Sequence, residues 1–230
     1  MCLSFWFRVS SFCFLAGERM SEPNKSGRLV FLDVDTQVDF MSPSGSLYVP
    51  HAEEIIPNLA KLMLWARDHR IPIISSADTH APDDPEFALW PPHCVAGTPG
   101  QRRIAETFFP DAVVVENRPG AFHTPQEWVG QLIVEKPVYD VSTNLNFDAI
   151  VASLGEPRFV VFGVATEYCV LADVLALRKR NLPVALVRDA IKPITEEGGQ
   201  KAIEQMVAAG AQLVTTAAVC SPGFQDSCLQ

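Results

Sequence analysis

One cysteine lies where its side chain could act as a nucleophile. Cys169 follows the apolar run 158–162, which is typical of a buried strand, and precedes apolar residues spaced as on one face of a helix. This position predicts a thiol in the first turn of a helix, where unpaired backbone N–H groups and the positive end of the helix dipole would stabilise a thiolate. The same N–H groups could hold an oxyanion, so the segment indicates covalent catalysis.

Other side chains that can transfer protons or carry charge follow the remaining predicted strands. Asp35 follows the first strand, Asp78 and His80 follow the second, and Lys136 lies further along the chain. Since a parallel sheet binds ligands at the carboxyl ends of its strands, we expect these groups to converge. Singly, Asp35 could be a turn cap and Lys136 a solvated surface charge. Their combination with Cys169 favours the chemical interpretation.

A metal site is the second prediction. Asp78 and His80 are two residues apart at a strand end. His93 comes after the following turn and is expected to lie close to them. Two imidazoles and one carboxylate suit Zn²⁺, or the similar ions Mn²⁺ and Fe²⁺, with open positions for water and substrate. The alternative is that both histidines are only hydrogen-bonded residues of a long loop.

The elements that must position these groups alternate along the chain. Apolar strands alternate with amphipathic helices, which predicts an α/β protein with a parallel sheet. The loop 78–99 is rich in proline and aspartate, and loops of this length are usually functional. The predicted strands cover 29–34, 71–76, 112–116, 158–162, 184–188 and 212–215, and the predicted helices cover 53–69, 101–107, 147–154, 170–180 and 200–209.

Composition limits the classes of partner and compartment. The chain has 230 residues, 48% of them hydrophobic and 20% charged, which is enough for one large domain with a substantial core. Its net charge of -9 argues against nucleic acid or an anionic membrane as a partner, so a small neutral or cationic molecule fits better. The six cysteines show neither zinc-ribbon spacing nor the density of a disulfide scaffold. We therefore expect a cytoplasmic protein.

The two ends of the chain are predicted to lie outside the domain. Residues 3–15 are apolar but lack a charged leading region, are interrupted by Arg8, and are too short to span a bilayer. We interpret 1–27 as an N-terminal extension, either disordered or upstream of a true start at Met20. The predicted domain covers 28–220, and 221–230 form a C-terminal tail.

Five sequence features belong together. They are Asp-x-Gln-x-Asp-Phe at 35–40, Asp-x-His at 78–80, Trp-Pro-Pro-His-Cys-Val-Ala-Gly-Thr-Pro-Gly at 90–100, a lysine at 136, and Gly-Val-Ala-Thr-Glu-Tyr-Cys-Val at 163–170. Jointly they resemble the cysteine hydrolases of the isochorismatase-like superfamily and, within it, the nicotinamidases. The likeness extends from residue 29 to residue 215 and implies a Rossmann-like three-layer α/β/α fold with a six-stranded, mainly parallel sheet. Members commonly assemble into homo-oligomers.

The resemblance implies roles for the catalytic groups. Asp35, Lys136 and Cys169 would form a triad that hydrolyses a carboxamide through a thioester. Asp35 would accept the thiol proton and pass it to the nitrogen that leaves as ammonia. The positive charge of Lys136 would favour both the thiolate and the Asp35 carboxylate. A cis bond between Val164 and Ala165 would aim the amides of Ala165 and Cys169 into an oxyanion hole.

The resemblance also implies how substrate and metal are held. The metal would bind the pyridine nitrogen of nicotinamide, with Glu86 as a further direct or water-mediated ligand. Asp83 and Asp84 compete with Glu86 for that role because they are close in sequence. Three apolar residues would contact the substrate: Phe40, Trp90 and Val164.

One segment departs from the nicotinamidase pattern and leaves other functions open. After the lysine, relatives carry an acidic residue and a Tyr-Ser-Gly-Phe-like stretch, whereas residues 136–144 read Lys-Pro-Val-Tyr-Asp-Val-Ser-Thr-Asn.

Our leading hypothesis is a nicotinamidase that converts nicotinamide and water to nicotinate and ammonia. The alternatives are another amidase of the superfamily, acting on a ureido or carbamoyl substrate, and a non-catalytic binding protein that keeps the fold.

Overall fold

The computed structural model describes residues 27–123 and 128–224. The proposed extension as far as residue 26, the alternative start at Met20 and the tail from residue 225 lie outside these ranges. The strands are β1 (Leu29–Val34), β2 (Ile73–Asp78), β3 (Val113–Val115), β4 (Gln131–Lys136), β5 (Arg158–Val164), β6 (Val184–Lys192) and β7 (Gln212–Val214). They form one parallel sheet in the order β3-β4-β2-β1-β5-β6-β7.

Helices and short turns connect the strands. In the parts of the chain described, no helix has both the length and the apolar character to cross a membrane. The α-helices are α1 (Val38–Met41), α2 (Ile56–Asp68), α3 (Phe147–Ser153), α4 (Leu171–Lys179), α5 (Glu196–Ala208) and α6 (Thr216–Val219). Short 3₁₀ turns cover Ala52–Ile55, Pro85–Ala88, Ala105–Thr107 and Val141–Thr143, and a π-helical turn covers Thr166–Val170.

The predicted fold class is confirmed, and within the described residues the sheet has seven strands rather than six. The additional strand is β4, where the sequence predicts none because only three consecutive apolar residues, 132–134, precede Glu135 and Lys136. A lysine at a strand end predicts exposure, yet Lys136 is fully buried. β4 is recognisable as a strand only from its neighbours, because it pairs with β2 on one side and β3 on the other.

Several element boundaries differ from prediction. α5 begins at Glu196 rather than residue 200, and β6 continues to Lys192 rather than residue 188. Two other differences lie beside the candidate residues. β2 begins two residues later than expected and extends to Asp78, so this carboxylate belongs to the strand rather than to the loop after it. The helix predicted over 101–107 is reduced to the 3₁₀ turn Ala105–Thr107. There the backbone instead makes contacts with the segment after β1, including hydrogen bonds from Val38 N–H to the carbonyl of Arg102 and from Ile104 N–H to the carbonyl of Thr36.

Apolar side chains pack on both faces of the sheet, which gives the three-layer α/β/α arrangement. On one face α3, α4 and α5 cover the sheet with buried residues such as Phe147, Val174 and Met206. On the other face α2 buries a helical stripe that includes Leu59 and Met63. Burying a side chain of this size stabilises the fold by about 1.5–3 kcal/mol, so both layers hold the sheet rigid.

The four central strands end next to one another and carry the candidate residues. Lys136 ends β4 and is in register with Asp78, which ends β2. Asp35 directly follows β1, and the turn that contains Cys169 follows β5 after one residue. Because β1 lies between β2 and β5, the strand order diverges here, which is where parallel sheets place ligand sites.

Candidate active site

The structure brings Asp35, Lys136 and Cys169 together. Lys136 Nζ lies 2.8 Å from Asp35 Oδ2 and 3.6 Å from Cys169 Sγ. It also lies 3.3 Å from Asp78 Oδ1. All four side chains are buried, so their charges interact with little screening from water.

Lys136 remains an ammonium group in this setting. Burial by itself would lower the pKa of Lys136, but the carboxylates of Asp35 and Asp78 outweigh it and hold that pKa well above its usual range. The lysine therefore provides a fixed positive charge beside the sulfur rather than a proton donor at neutral pH.

The resting sulfur is a thiol, which differs from the thiolate that the helix position predicts. Burial and the negative charge of Asp35 raise the pKa of Cys169 well above its usual range, although Lys136 opposes them. A hydrogen bond with Asp35 raises this pKa further. The chemistry therefore needs a base beside the sulfur, and Asp35 occupies that place.

Cys169 lies in the π-helical turn Thr166–Val170, just before α4. The peptide bond between Val164 and Ala165 is cis, as the resemblance implies. The N–H groups of Tyr168 and Val170 both donate to the carbonyl of Ala165. Ala165 and Cys169, whose amides the resemblance assigns to the oxyanion hole, line the same cavity.

Asp78, His80 and His93 form a compact group of buried donors. Their ligand atoms all lie within 4.8 Å of one another. Nε2 of His80 lies 3.0 Å and Nε2 of His93 lies 3.2 Å from the same atom, Asp78 Oδ2. Burial alone would raise the pKa of Asp78, but Lys136 and the two histidines hold it well below its usual range. The carboxylate is therefore ionised and can act as a ligand.

On each imidazole, Nδ1 points away from Asp78 and contacts a different oxygen atom. Nδ1 of His80 lies 3.1 Å from Asp84 Oδ2, and Nδ1 of His93 donates to the carbonyl of Pro91 at 2.8 Å. Such outer partners fix the tautomer and the orientation of metal-binding histidines. The donor set, two imidazole nitrogens and one carboxylate oxygen, therefore fits a divalent ion of borderline softness such as Zn²⁺.

Two residues of the 35–40 motif make hydrogen bonds to the backbone at or next to the candidate metal ligands. The side-chain amide of Gln37 donates to the carbonyl of Asp78 and accepts from its N–H, both at 2.8 Å. Asp39 Oδ2 accepts from the N–H of Cys94, the residue after His93, also at 2.8 Å. Sequence reasoning assigned these residues no role, although their place in the motif was a signal.

Glu86 is not one of the three converging donors. It lines the same cavity as Asp78 and His93 and is only half-buried. Burial and the charge of Asp78 raise its pKa. Asp84, one of the two alternatives to Glu86, contacts Nδ1 of His80. Asp83, the other alternative, is exposed at the surface.

A cavity with largely apolar walls lies beside Cys169. All three predicted substrate contacts, Phe40, Trp90 and Val164, line it. Tyr139 and Tyr168 line it as well, and Trp90 Nε1 donates to the hydroxyl of Tyr139 at 3.0 Å. The sequence signal for Tyr139 was its position in the segment that departs from the family pattern.

Comparison with known proteins gives consistent matches. Residues 29–218 match the family described as isochorismatase domain. The chain is 30% identical over 203 residues to the nicotinamidase of Escherichia coli, covering 80% of this chain and 93% of that protein. It is 29% identical over 199 residues to the nicotinamidase of Saccharomyces cerevisiae, covering 71% of this chain and 88% of that protein.

A solved structure with a similar fold is the pyrazinamidase of Pyrococcus horikoshii in complex with zinc. It matches with a TM-score of 0.68 and 29% sequence identity, covering 82% of this chain and 99% of that one.

Proposed function

Since the chain belongs to the isochorismatase domain family, as a nicotinamidase-like member, we propose that it is a cysteine-dependent nicotinamidase that converts nicotinamide and water to nicotinate and ammonia. It is an amidohydrolase acting on C–N bonds. The observation that carries the proposal is the position of Lys136 Nζ, which contacts Asp35, Asp78 and Cys169. Asp78 and Cys169 both line the cavity.

The first half of the reaction forms a thioester. Cys169 Sγ attacks the carbonyl carbon of the amide while its proton passes to Asp35. The tetrahedral oxyanion forms beside the amides of Ala165 and Cys169. Asp35 then gives its proton to the amide nitrogen, the C–N bond breaks, and ammonia leaves.

The second half returns the enzyme to its resting state. Asp35, again a carboxylate, takes a proton from water as the water oxygen attacks the thioester carbon. The C–S bond breaks, Asp35 gives the proton it took from water to the sulfur, and the carboxylic acid product leaves. Lys136 stays charged throughout and favours each state in which negative charge builds up on the sulfur or on Asp35.

We propose that Asp78, His80 and His93 hold the divalent ion, zinc in the first instance, with Glu86 as a direct or water-mediated addition. When bound, such an ion supplies a Lewis-acidic position that can bind a ring nitrogen of the substrate. Phe40, Trp90 and Val164 orient the ring, because flat aromatic groups gain from packing against such side chains.

The remaining proposals concern the setting of the enzyme. Residues 28–220 would form the hydrolase domain and 221–230 a tail. The protein would act in the cytoplasm as a homo-oligomer, supplying nicotinate to pyridine nucleotide salvage. A small-molecule amide would be its main partner, with no role for nucleic acid or membrane, in keeping with the net charge of -9.

An ammonia-release assay tests the proposed function. Purified protein is incubated with nicotinamide, pyrazinamide and small ureido compounds, with and without a chelator. We expect release from nicotinamide that is lost in Cys169→Ala and retained in Cys220→Ala, since Cys220 lies outside the cavity lining. Release only from ureido compounds, or equal release by both variants, would contradict the proposal.

A further inference from the structure

Ser76 is a buried residue of β2 whose hydroxyl group makes two hydrogen bonds to the same partner. Its Oγ accepts from the backbone N–H of Asp35 at 3.2 Å and donates to Asp35 Oδ1 at 2.7 Å. Neither residue is exposed to solvent. One hydroxyl group therefore fixes both the backbone and the side chain of Asp35.

The backbone of Asp35 needs such support. Its φ angle is 47°, in the left-handed region, which costs an L-residue with a side chain about 1–2 kcal/mol. Residues persist in this conformation where surrounding contacts hold them, and such residues cluster at functional sites. The Ser76 hydroxyl supplies one of those contacts directly at the residue in question.

The two oxygens of Asp35 have different neighbours as a result. Oδ1 receives the hydroxyl proton of Ser76, whereas Oδ2 lies 2.8 Å from Lys136 Nζ. The same Nζ lies 3.6 Å from Cys169 Sγ. Among the described residues Oδ2 accepts no hydrogen bond, so it is the oxygen open to the proton of the thiol.

We infer that Ser76 is a positioning residue that presents Oδ2 of Asp35 as the atom that accepts the thiol proton. In that step the S–H bond breaks, the electron pair stays on sulfur, and an O–H bond forms at Oδ2. The proton later moves to the departing nitrogen, which restores the carboxylate. This inference rests on the proposed function, in which Asp35 is the base.

Ser76 is itself held rigidly. Its carbonyl accepts a hydrogen bond from Arg103 Nη1 at 2.7 Å, and the same guanidinium pairs with the buried carboxylate of Asp33. A positioning residue needs this kind of support, because a loosely held orienting group does not hold the geometry that catalysis requires.

The neighbouring serine provides a matched control. Ser75 is equally buried on β2, but its hydroxyl donates to Asp33 Oδ2 at 3.0 Å and accepts from Gln131 Nε2 at 2.8 Å. The substitutions Ser75→Ala and Ser76→Ala therefore remove the same group from adjacent sites, and only the second removes a contact with Asp35.

The kinetic test compares these variants on nicotinamide. We expect S76A to lower kcat by about 10–100-fold, as is typical when an outer partner of a reacting group is removed. KM should change little, since the lost contact acts on the reacting step rather than on substrate binding. Ser76→Thr, which keeps the hydroxyl, should recover most of kcat. S75A should keep kcat near wild type even where its thermal midpoint falls as far as that of S76A.

A crystal structure of each alanine variant supplies a readout that needs no substrate. In S76A the carboxylate of Asp35 should leave its present position and its Oδ2 should move away from Lys136 Nζ, whereas in S75A both should stay in place. If S76A does not fold, Ser76→Cys, which keeps the size and weakens the hydrogen bond, takes its place in both measurements.

The outcomes separate the two proposals. An unmoved Asp35 in S76A, or a loss of kcat no larger than in S75A, overturns the role of Ser76. Absence of nicotinamide turnover by the wild type, together with a displaced Asp35 in S76A, overturns the proposed function and supports the positioning role.

Discussion

Replacing Lys136 by methionine should destabilise the fold far more than removal of an ordinary ion pair. Lys136 Nζ lies 2.8 Å from Asp35 Oδ2 and 3.3 Å from Asp78 Oδ1, and all three side chains are buried. Removing it leaves two carboxylates without their shared cation. Breaking a buried pair by removing one partner costs about 3–5 kcal/mol. We therefore expect Lys136→Met to lower the free energy of unfolding by about that amount, measured by denaturant titration near neutral pH with chelator present.

The matched control is Lys201→Met. Lys201 Nζ lies 2.6 Å from Glu197 Oε1, but both side chains are largely exposed, so its loss should cost less than about 1 kcal/mol. Because Lys136 lowers the pKa of Asp78, its contribution through Asp78 is present above the ordinary aspartate pKa and is lost as pH falls. The difference between wild type and K136M should thus begin to shrink below about pH 4 and continue to shrink as the pH falls further. Equal losses in K136M and K201M at neutral pH would refute the reasoning.

Three further predictions follow from the site. Iodoacetamide alkylates the thiolate form of Cys169, so the pH midpoint of its alkylation reports the pKa of the thiol. This midpoint should fall in Asp35→Asn and rise in K136M, because Asp35 raises and Lys136 lowers that pKa. Shifts of the same sign in the two variants would contradict this electrostatic balance. Asp84→Asn should weaken zinc binding by about 10–100-fold in a chelator competition, whereas Asp83→Asn should not, and equal affinities would exclude a role for Asp84 behind His80. Chelation should lower the thermal unfolding midpoint and added zinc should restore it, because a ligand that binds only the folded state stabilises it; an unchanged midpoint would exclude a metal at the three-donor group.

Much of the fold could be predicted because hydrophobic patterning determines it. The apolar runs of β1 and β5 are long and buried on both faces, which is typical of central parallel strands. β4 could not be found this way, since its short apolar run ends in two charged residues. Lys136 is buried there because Asp35 and Asp78, which lie over fifty residues away in sequence, supply its partners. No local pattern records such a contact.

The convergence of Asp35, Asp78, Lys136 and Cys169 could be predicted because each lies at or just after the carboxyl end of a strand, and these strands are adjacent. The state of the thiol could not be predicted, because the helix position of Cys169 favours a thiolate, whereas burial and Asp35 favour the neutral form. The roles of Gln37 and Asp39 also depended on the structure, since both act through backbone groups of distant segments. A sequence motif identifies such residues without showing what they hold.

Trapping the acyl intermediate tests most directly whether Cys169 is the nucleophile. Enzyme mixed with nicotinamide is quenched in acid within the first turnovers, digested and analysed by mass spectrometry. We expect a nicotinoyl adduct on the peptide that contains Cys169 and none on that peptide in Cys169→Ala. Ammonia release at the wild-type rate from the alanine variant, or an adduct confined to another residue, would contradict it.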